Sequence, residues 1–408
     1  MRLFTLLIIS IFLYSCTGPT HEVKPEQVPQ FKIIDVSNGL PSDGLWRQNI
    51  TLFDMNGDGL LDIVTPPPRK AEAGKKRPFV FLQSGGIWVE GKYRFPMIED
   101  YDYGGVTVGD INKDGYPDII LSCHEKRIIV LVNDRNGGFN EAEFPERQFK
   151  SRTVALADLN NDGYPDIVAL SEFPSLLQGG KGGRSTQIQG ILIGLNKQGN
   201  GFNINIIKEG SQFFGDSLSL ADINNDGNMD IVIASATAIR EYKKVLWLGD
   251  GKGGFEYYNA DFTGDMVPSI VRTGDIDGDG RDEIVFKLSG VGKDAEVRVA
   301  VFNMDLGGIA DITNGLKSET KPVVFDMADI DGDQRDELIL LSEDGLHIYK
   351  YDNNAWSEIK KHPIPSIDTT GAYDMKVRPQ ADGSWLIVYN LGSEATGNKG
   401  IRAFLLRR

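Results

Sequence analysis

The chain has 408 residues, 40% of them hydrophobic, and a formal net charge of −15. That acidity excludes nucleic-acid binding through a basic surface. With two cysteines and four histidines, neither a disulfide framework nor a zinc motif organises the fold.

At the N-terminus, Arg2 precedes the apolar run Leu3–Tyr14, which is too short to span a bilayer and suits the core of a secretion signal. Leu13-Tyr-Ser-Cys16 resembles a lipobox. The resemblance assigns residues 1–15 to a lipoprotein signal peptide and makes Cys16 the lipidated residue. Simple secretory cleavage near Ser15 is the alternative. A lipid anchor in the cell envelope follows from the first reading, and Thr17 after the cysteine points to the outer membrane. Residues 16–30 are polar and proline-rich, a flexible tether. Cys123 then remains as the one other thiol, closing the apolar run Ile119–Cys123, and reads as buried.

From residue 31 onward six acidic segments recur: DMNGDGLLDIV from Asp54, DINKDGYPDII from Asp110, DLNNDGYPDIV from Asp158, DINNDGNMDIV from Asp222, DIDGDGRDEIV from Asp275 and DIDGDQRDELI from Asp329. Oxygen side chains at alternate positions around a glycine are what a calcium ion requires. Positions one, three, five and nine supply the candidate ligands. They are Asp54, Asn56, Asp58 and Asp62; Asp110, Asn112, Asp114 and Asp118; Asp158, Asn160, Asp162 and Asp166. The later copies give Asp222, Asn224, Asp226 and Asp230; Asp275, Asp277, Asp279 and Glu283; Asp329, Asp331, Asp333 and Glu337. Three ligand-position carboxylates in each of the first four copies and four in each of the last two make twenty, so about six structural calcium ions would neutralise much of the acidity.

An EF-hand needs a glutamate at loop position twelve. Here that position holds Thr65, Leu121, Ala169, Ile233, Phe286 and Leu340. A β-branched apolar run follows each loop instead, so the loop joins two strands. Gln334 replaces the glycine of the sixth copy, at roughly 1 kcal/mol if that position needs a positive φ. A seventh copy, Arg378–Val388, keeps Asp382 and Gly383, with Arg378, Gln380 and Leu386 at the ligand positions.

Each unit continues with a further apolar run, such as Phe79–Leu82 or Ile191–Leu195. A glycine-rich turn ending in an aromatic comes next, as in Gly137-Gly-Phe139. Four short strands at this spacing make a propeller blade. The segment Phe31–Val36 reads as the missing fourth strand of the last blade, which would leave no open edge. These loops and turns resemble FG-GAP/VCBS repeats, the blades of integrin α-subunit heads and of many bacterial surface proteins. The resemblance implies an all-β, seven-bladed propeller over residues 31–408 with calcium-binding loops, in a family that spans adhesins, lectin-like proteins and polysaccharide lyases.

The acidic loops occupy one rim, which leaves the other for a ligand. That rim receives the basic stretch 66–77, the glycine-rich stretch 176–184, and the pairs Trp46 and Arg47, Tyr101 and Tyr103, Lys150 and Arg152, Phe213 and Phe214. Cations mixed with aromatics favour a non-catalytic binding module for a glycan, including an acidic polysaccharide, or for a protein. Two alternatives stay open. One is a polysaccharide lyase or an accessory protein in polysaccharide degradation, with Tyr103, His124 and Arg152 as its candidate groups. The other is a scaffold in an envelope complex.

Overall fold

The computed structural model describes residues 31–172, 188–208, 214–234, 244–259, 267–290, 293–303, 308–316 and 321–408. The signal peptide, Cys16, the tether, the stretch 176–184 and Phe213 lie outside the described residues.

Among the described residues, the strands form seven four-stranded antiparallel sheets. β1 (Lys32–Asp35) precedes blade one, which is β2 (Thr51–Phe53), β3 (Asp62–Thr65), β4 (Phe79–Ser84) and β5 (Ile87–Glu90). Blade two is β6 (Gly104–Gly109), β7 (Asp118–Cys123), β8 (Ile128–Asn133) and β9 (Phe139–Ala142). Blade three is β10 (Ser151–Ala157), β11 (Asp166–Ser171), β12 (Ile191–Asn196) and β13 (Phe202–Ile207). Blade four is β14 (Leu218–Ala221), β15 (Asp230–Ile233), β16 (Leu246–Gly249) and β17 (Phe255–Tyr258). Blade five is β18 (Val267–Gly274), β19 (Glu283–Gly290), β20 (Lys293–Asn303) and β21 (Gly308–Asp311). Blade six is β22 (Pro322–Ala328), β23 (Glu337–Ser342), β24 (Gly345–Asp352) and β25 (Ala355–Pro363). Blade seven takes β26 (Ala372–Pro379), β27 (Trp385–Gly392) and β28 (Lys399–Arg407), and β1 pairs antiparallel with β28 as its fourth strand.

The first strands of successive blades lie side by side around a channel, and β26 also touches β2. Packing explains the continuous apolar runs after the loops. Each second strand is covered on both faces by neighbouring blades, and in β7, β11 and β23 every residue is buried. Fourth strands face solvent on one side and alternate, as Phe139 (buried) and Asn140 (exposed) do. The core is divided between blades. One cluster joins Met55 and Val64 to Ile119 and Leu121, and another joins Ile63 and Phe79 of blade one to Leu386 and Val388 of blade seven. A fully buried side chain of this size contributes about 1.5–3 kcal/mol. Cys123 is wholly buried, and burial pushes its thiol up to about 12, which leaves it inert.

The seventh turn differs from its expected register. Pro379 pairs with Trp385 as Ala328 pairs with Glu337, so Gln380, not Arg378, stands at position one, and Trp385 stands at position nine. This loop is three residues shorter than the others. Arg378 is a strand residue whose guanidinium donates to Asp326 at 2.8 Å, so it does not occupy an ion position.

Candidate functional site

Two regions carry chemistry, on opposite rims. The acidic turns join the first and second strands of blades one to six. In all six, the position-one aspartate accepts backbone N–H bonds from within its own loop. Asp110 Oδ2, for example, takes Gly115 N–H at 2.7 Å, and Asn112 Oδ1 takes Asp114 N–H at 3.0 Å. Position six has φ near +84° in the five glycine copies, and Gln334 adopts +71°. Position four is left-handed as well, at Gly57, Lys113, Asn161, Asn225, Gly278 and Gly332.

The position-nine carboxylates are fully buried. In blades one to four each oxygen accepts one backbone N–H. Asp118 Oδ2 takes Ile111 N–H at 3.1 Å and Oδ1 takes Asn133 N–H at 2.8 Å; Asp62, Asp166 and Asp230 are bound alike. Burial pushes these four carboxyls up to about 6, against the N–H bonds and reinforced by the other loop carboxylates. The buried aspartate therefore stitches the loop start to the third strand. Sequence reasoning assigned it to metal alone; the buried apolar residue at position two (Met55, Ile111, Leu159, Ile223) was the available sign that the loop start is packed.

The two glutamate copies depart from this pattern. Glu283 Oε2 accepts Ile276 N–H at 2.8 Å and Glu337 Oε2 accepts Ile330 N–H at 2.9 Å. The longer side chain leaves Oε1 of each buried with no hydrogen-bond partner. Burial raises both carboxyls to about 8. Asp275, Asp277 and Asp279 bring one carboxylate oxygen each within 4.8 Å of one another, as do Asp329, Asp331 and Asp333. In blade five, clustered oxygens beside an orphaned buried carboxylate oxygen suit a hard divalent cation; in blade six the Lys350 ammonium already lies among them, 2.5 Å from Asp331. In the aspartate copies each N–H-bonded oxygen keeps a second lone pair for the same purpose.

The opposite rim is basic and aromatic. Arg69 Nη1 and Lys70 Nζ lie 3.1 and 2.5 Å from the Glu394 carboxylate, and Arg47 lies 3.9 Å from it, so three cations share one acid. A cavity of about 290 Å³ beside them is lined by Arg69, Lys70 and Lys75, by the acids Asp43, Glu72 and Glu90, and by the buried rings of Trp46 and Phe79. Arg47 also covers the Tyr373 ring at 5.1 Å. Tyr101 is buried away from this surface.

Tyr103, His124 and Arg152 do come together. The Tyr103 and His124 rings lie 4.6 Å apart, and Arg69 sits 5.7 Å above the Tyr103 ring. Glu172 joins the other two: its Oε2 is 2.7 Å from His124 Nδ1 and 3.3 Å from Arg152 Nε. Arg152 also meets Asp216 at 2.9 Å. Its charge is thus shared between two carboxylates. Tyr103 is 6% exposed, and burial raises its hydroxyl pKa.

A buried charge network escaped sequence reasoning because its members come from distant repeats. Arg272 pairs with Asp374 and, at 3.4 Å, with Asp326, while Asp374 Oδ2 accepts Ile50 N–H at 2.9 Å. This ties blades five, six, seven and one around the channel. Burial works to raise the Asp326 carboxyl, but Arg378, Lys376 and Arg272 together hold it below its usual range.

A family model described as FG-GAP-like repeat matches residues 110–169 and 222–286. No curated protein matches the chain. Among solved structures, an Agrocybe aegerita lectin studied for recognition of non-reducing terminal N-acetylglucosamine is 17% identical, with 91% of this chain and 93% of that one covered and a TM-score of 0.47. The V. cholerae biofilm matrix protein Bap1 is 10% identical over 91% of each chain, with a TM-score of 0.46. The exotype rhamnogalacturonan lyase YesX is 13% identical over 90% of this chain and 63% of its own, with a TM-score of 0.42. By its strand order and its matched segments, the chain is a seven-bladed β-propeller carrying FG-GAP-like repeats.

Proposed function

We propose that this protein is a lipid-anchored, calcium-stabilised binding module of a bacterial cell envelope, and that it captures an anionic glycan on the rim opposite its acidic turns. The observation that carries the ligand reading is the cavity of about 290 Å³ where Arg69, Lys70 and Lys75 stand among Asp43, Glu72 and Glu90, with three cations, Arg47, Arg69 and Lys70, converging on the single acid Glu394 at its edge. Trp46 and Phe79 are buried and give the cavity a rigid floor, and the cations left over around Glu394 attract carboxylate or sulfate groups. The calcium ions hold the opposite rim; when bound, each supplies the positive charge that its buried loop carboxylates lack.

Calorimetric titration with uronate-containing oligosaccharides tests the ligand reading. Binding should weaken at least tenfold in Arg69→Ala and Lys70→Ala, and should fall with added salt. Equal affinity for neutral and acidic oligosaccharides would overturn it. The lyase reading has its own support in the Tyr103–His124–Arg152 convergence, but Arg152 is neutralised by Glu172 and Asp216. Absorbance from unsaturated uronate that disappears in Tyr103→Phe and His124→Ala would replace capture with catalysis.

A further inference from the structure

The six acidic turns are alike in sequence, but the sixth has a lysine from the third strand beside it that the others lack. In each blade the third strand places one residue beside the position-nine carboxylate. The register Leu338↔Tyr349 makes that residue Lys350 in blade six. The same count gives Leu82, Val132, Leu195 and Leu248 in blades one to four, and Val301 in blade five. A lysine stands where five other blades carry an aliphatic side chain.

The Lys350 ammonium enters the loop. Its Nζ lies 2.5 Å from Asp331 Oδ2, 2.7 Å from Asp333 Oδ2 and 3.8 Å from Glu337 Oε1, the orphaned oxygen. It is 15% exposed, and Asp331 and Glu337 are 6% and 0% exposed. Arg335, at position seven, donates to Asp333 Oδ2 from Nε at 3.0 Å and reaches Asp352 at 3.1 Å. Two tethered positive charges thus sit among the four ligand-position carboxylates of this loop, the charge that one calcium ion would bring. A single arginine reaches the position-five carboxylate in two other turns, Arg281 Nε to Asp279 at 2.9 Å in blade five and Arg135 Nη2 to Asp114 at 2.9 Å in blade two, but neither turn has the lysine.

We infer that the sixth turn is closed by the Lys350 ammonium in place of calcium, and that removing this lysine opens a calcium site there. A tethered ammonium needs no dehydration of a free ion, and its affinity does not depend on calcium concentration. Blade six therefore stays closed when calcium is scarce. The inference rests on the reading of the remaining turns as calcium sites.

Equilibrium dialysis against calcium, followed by elemental counting of metal per chain, tests it. Lys350→Met should hold one calcium more than the wild type, and Lys350→Arg should hold the wild-type number. Asp329→Ala in the wild-type background should leave the count unchanged, whereas Asp222→Ala should lower it by one. Ion uptake that is identical in wild type and Lys350→Met, or a loss of one ion in Asp329→Ala, overturns the inference alone. No uptake by any of the proteins overturns it together with the calcium reading.

Discussion

Asp118→Asn separates the two tasks of a position-nine carboxylate. Asp118 is fully buried, and its oxygens accept N–H groups of Ile111 and Asn133 at 3.1 and 2.8 Å. The amide keeps one acceptor and turns an NH2 towards the other N–H, which costs about 1–3 kcal/mol. An opposing term appears in chelator. Burial lifts the Asp118 carboxyl from 3.8 to about 6, so without a cation the folded state binds protons more tightly than the unfolded chain. Stability of the calcium-free protein then falls as pH rises through the window from about 4 to 6, and the penalty is complete at pH 8. At about 1.36 kcal/mol per unit, discounted for water screening, relief of that penalty is worth about 1–3 kcal/mol to the neutral amide. The two terms offset, and in chelator at pH 8 the variant should unfold in denaturant within about 1 kcal/mol of the wild type. Calcium cancels the penalty in the wild type, so the variant then shows the full hydrogen-bond cost plus about 1.4 kcal/mol for each tenfold loss of affinity. Equal destabilisation with and without calcium would refute the placement of an ion at Asp118.

Burial alone pushes the Lys287 ammonium down to about 8, while the unfolded chain keeps its proton to about 10.5. Stability contributed by this group is therefore lowest below pH 8 and rises between pH 8 and 10.5. Its NMR titration midpoint should lie near 8, and Lys287→Met should stabilise the protein by about 1–3 kcal/mol at pH 7; a midpoint above 10 contradicts this. At Gly104 an added Cβ would lie 1.8 Å from the Ser122 carbonyl oxygen, so Gly104→Ala should cost about 1–3 kcal/mol or more in denaturant unfolding. Cys16→Ser should abolish fatty-acid labelling and membrane fractionation of the expressed protein; a wild-type protein that takes up no label excludes the lipid anchor, and labelling that persists in the variant excludes Cys16 as its site.

The architecture was legible because its signals are local. A loop such as Asp158–Asp166 followed by Ile167 and Val168 specifies a turn and a buried strand within a dozen residues, and its recurrence specifies the ring. The basic surface at 66–77 was visible for the same reason. What escaped depends on register and distance. Lys350 looks like an ordinary strand lysine until the pairing of β23 with β24 sets it against Glu337. Arg378 looked like a loop residue because the seventh loop is three residues shorter, which the spacing of Asp382 and Gly383 concealed. Arg272, Asp326 and Asp374 belong to three different repeats, and no local pattern joins them.

Calorimetry of the purified protein in saturating calcium and in chelator bears most directly on the claim that the acidic turns stabilise the ring with bound metal. The account predicts a melting temperature that falls in chelator and recovers when calcium is restored. An identical melting temperature in both conditions would contradict it.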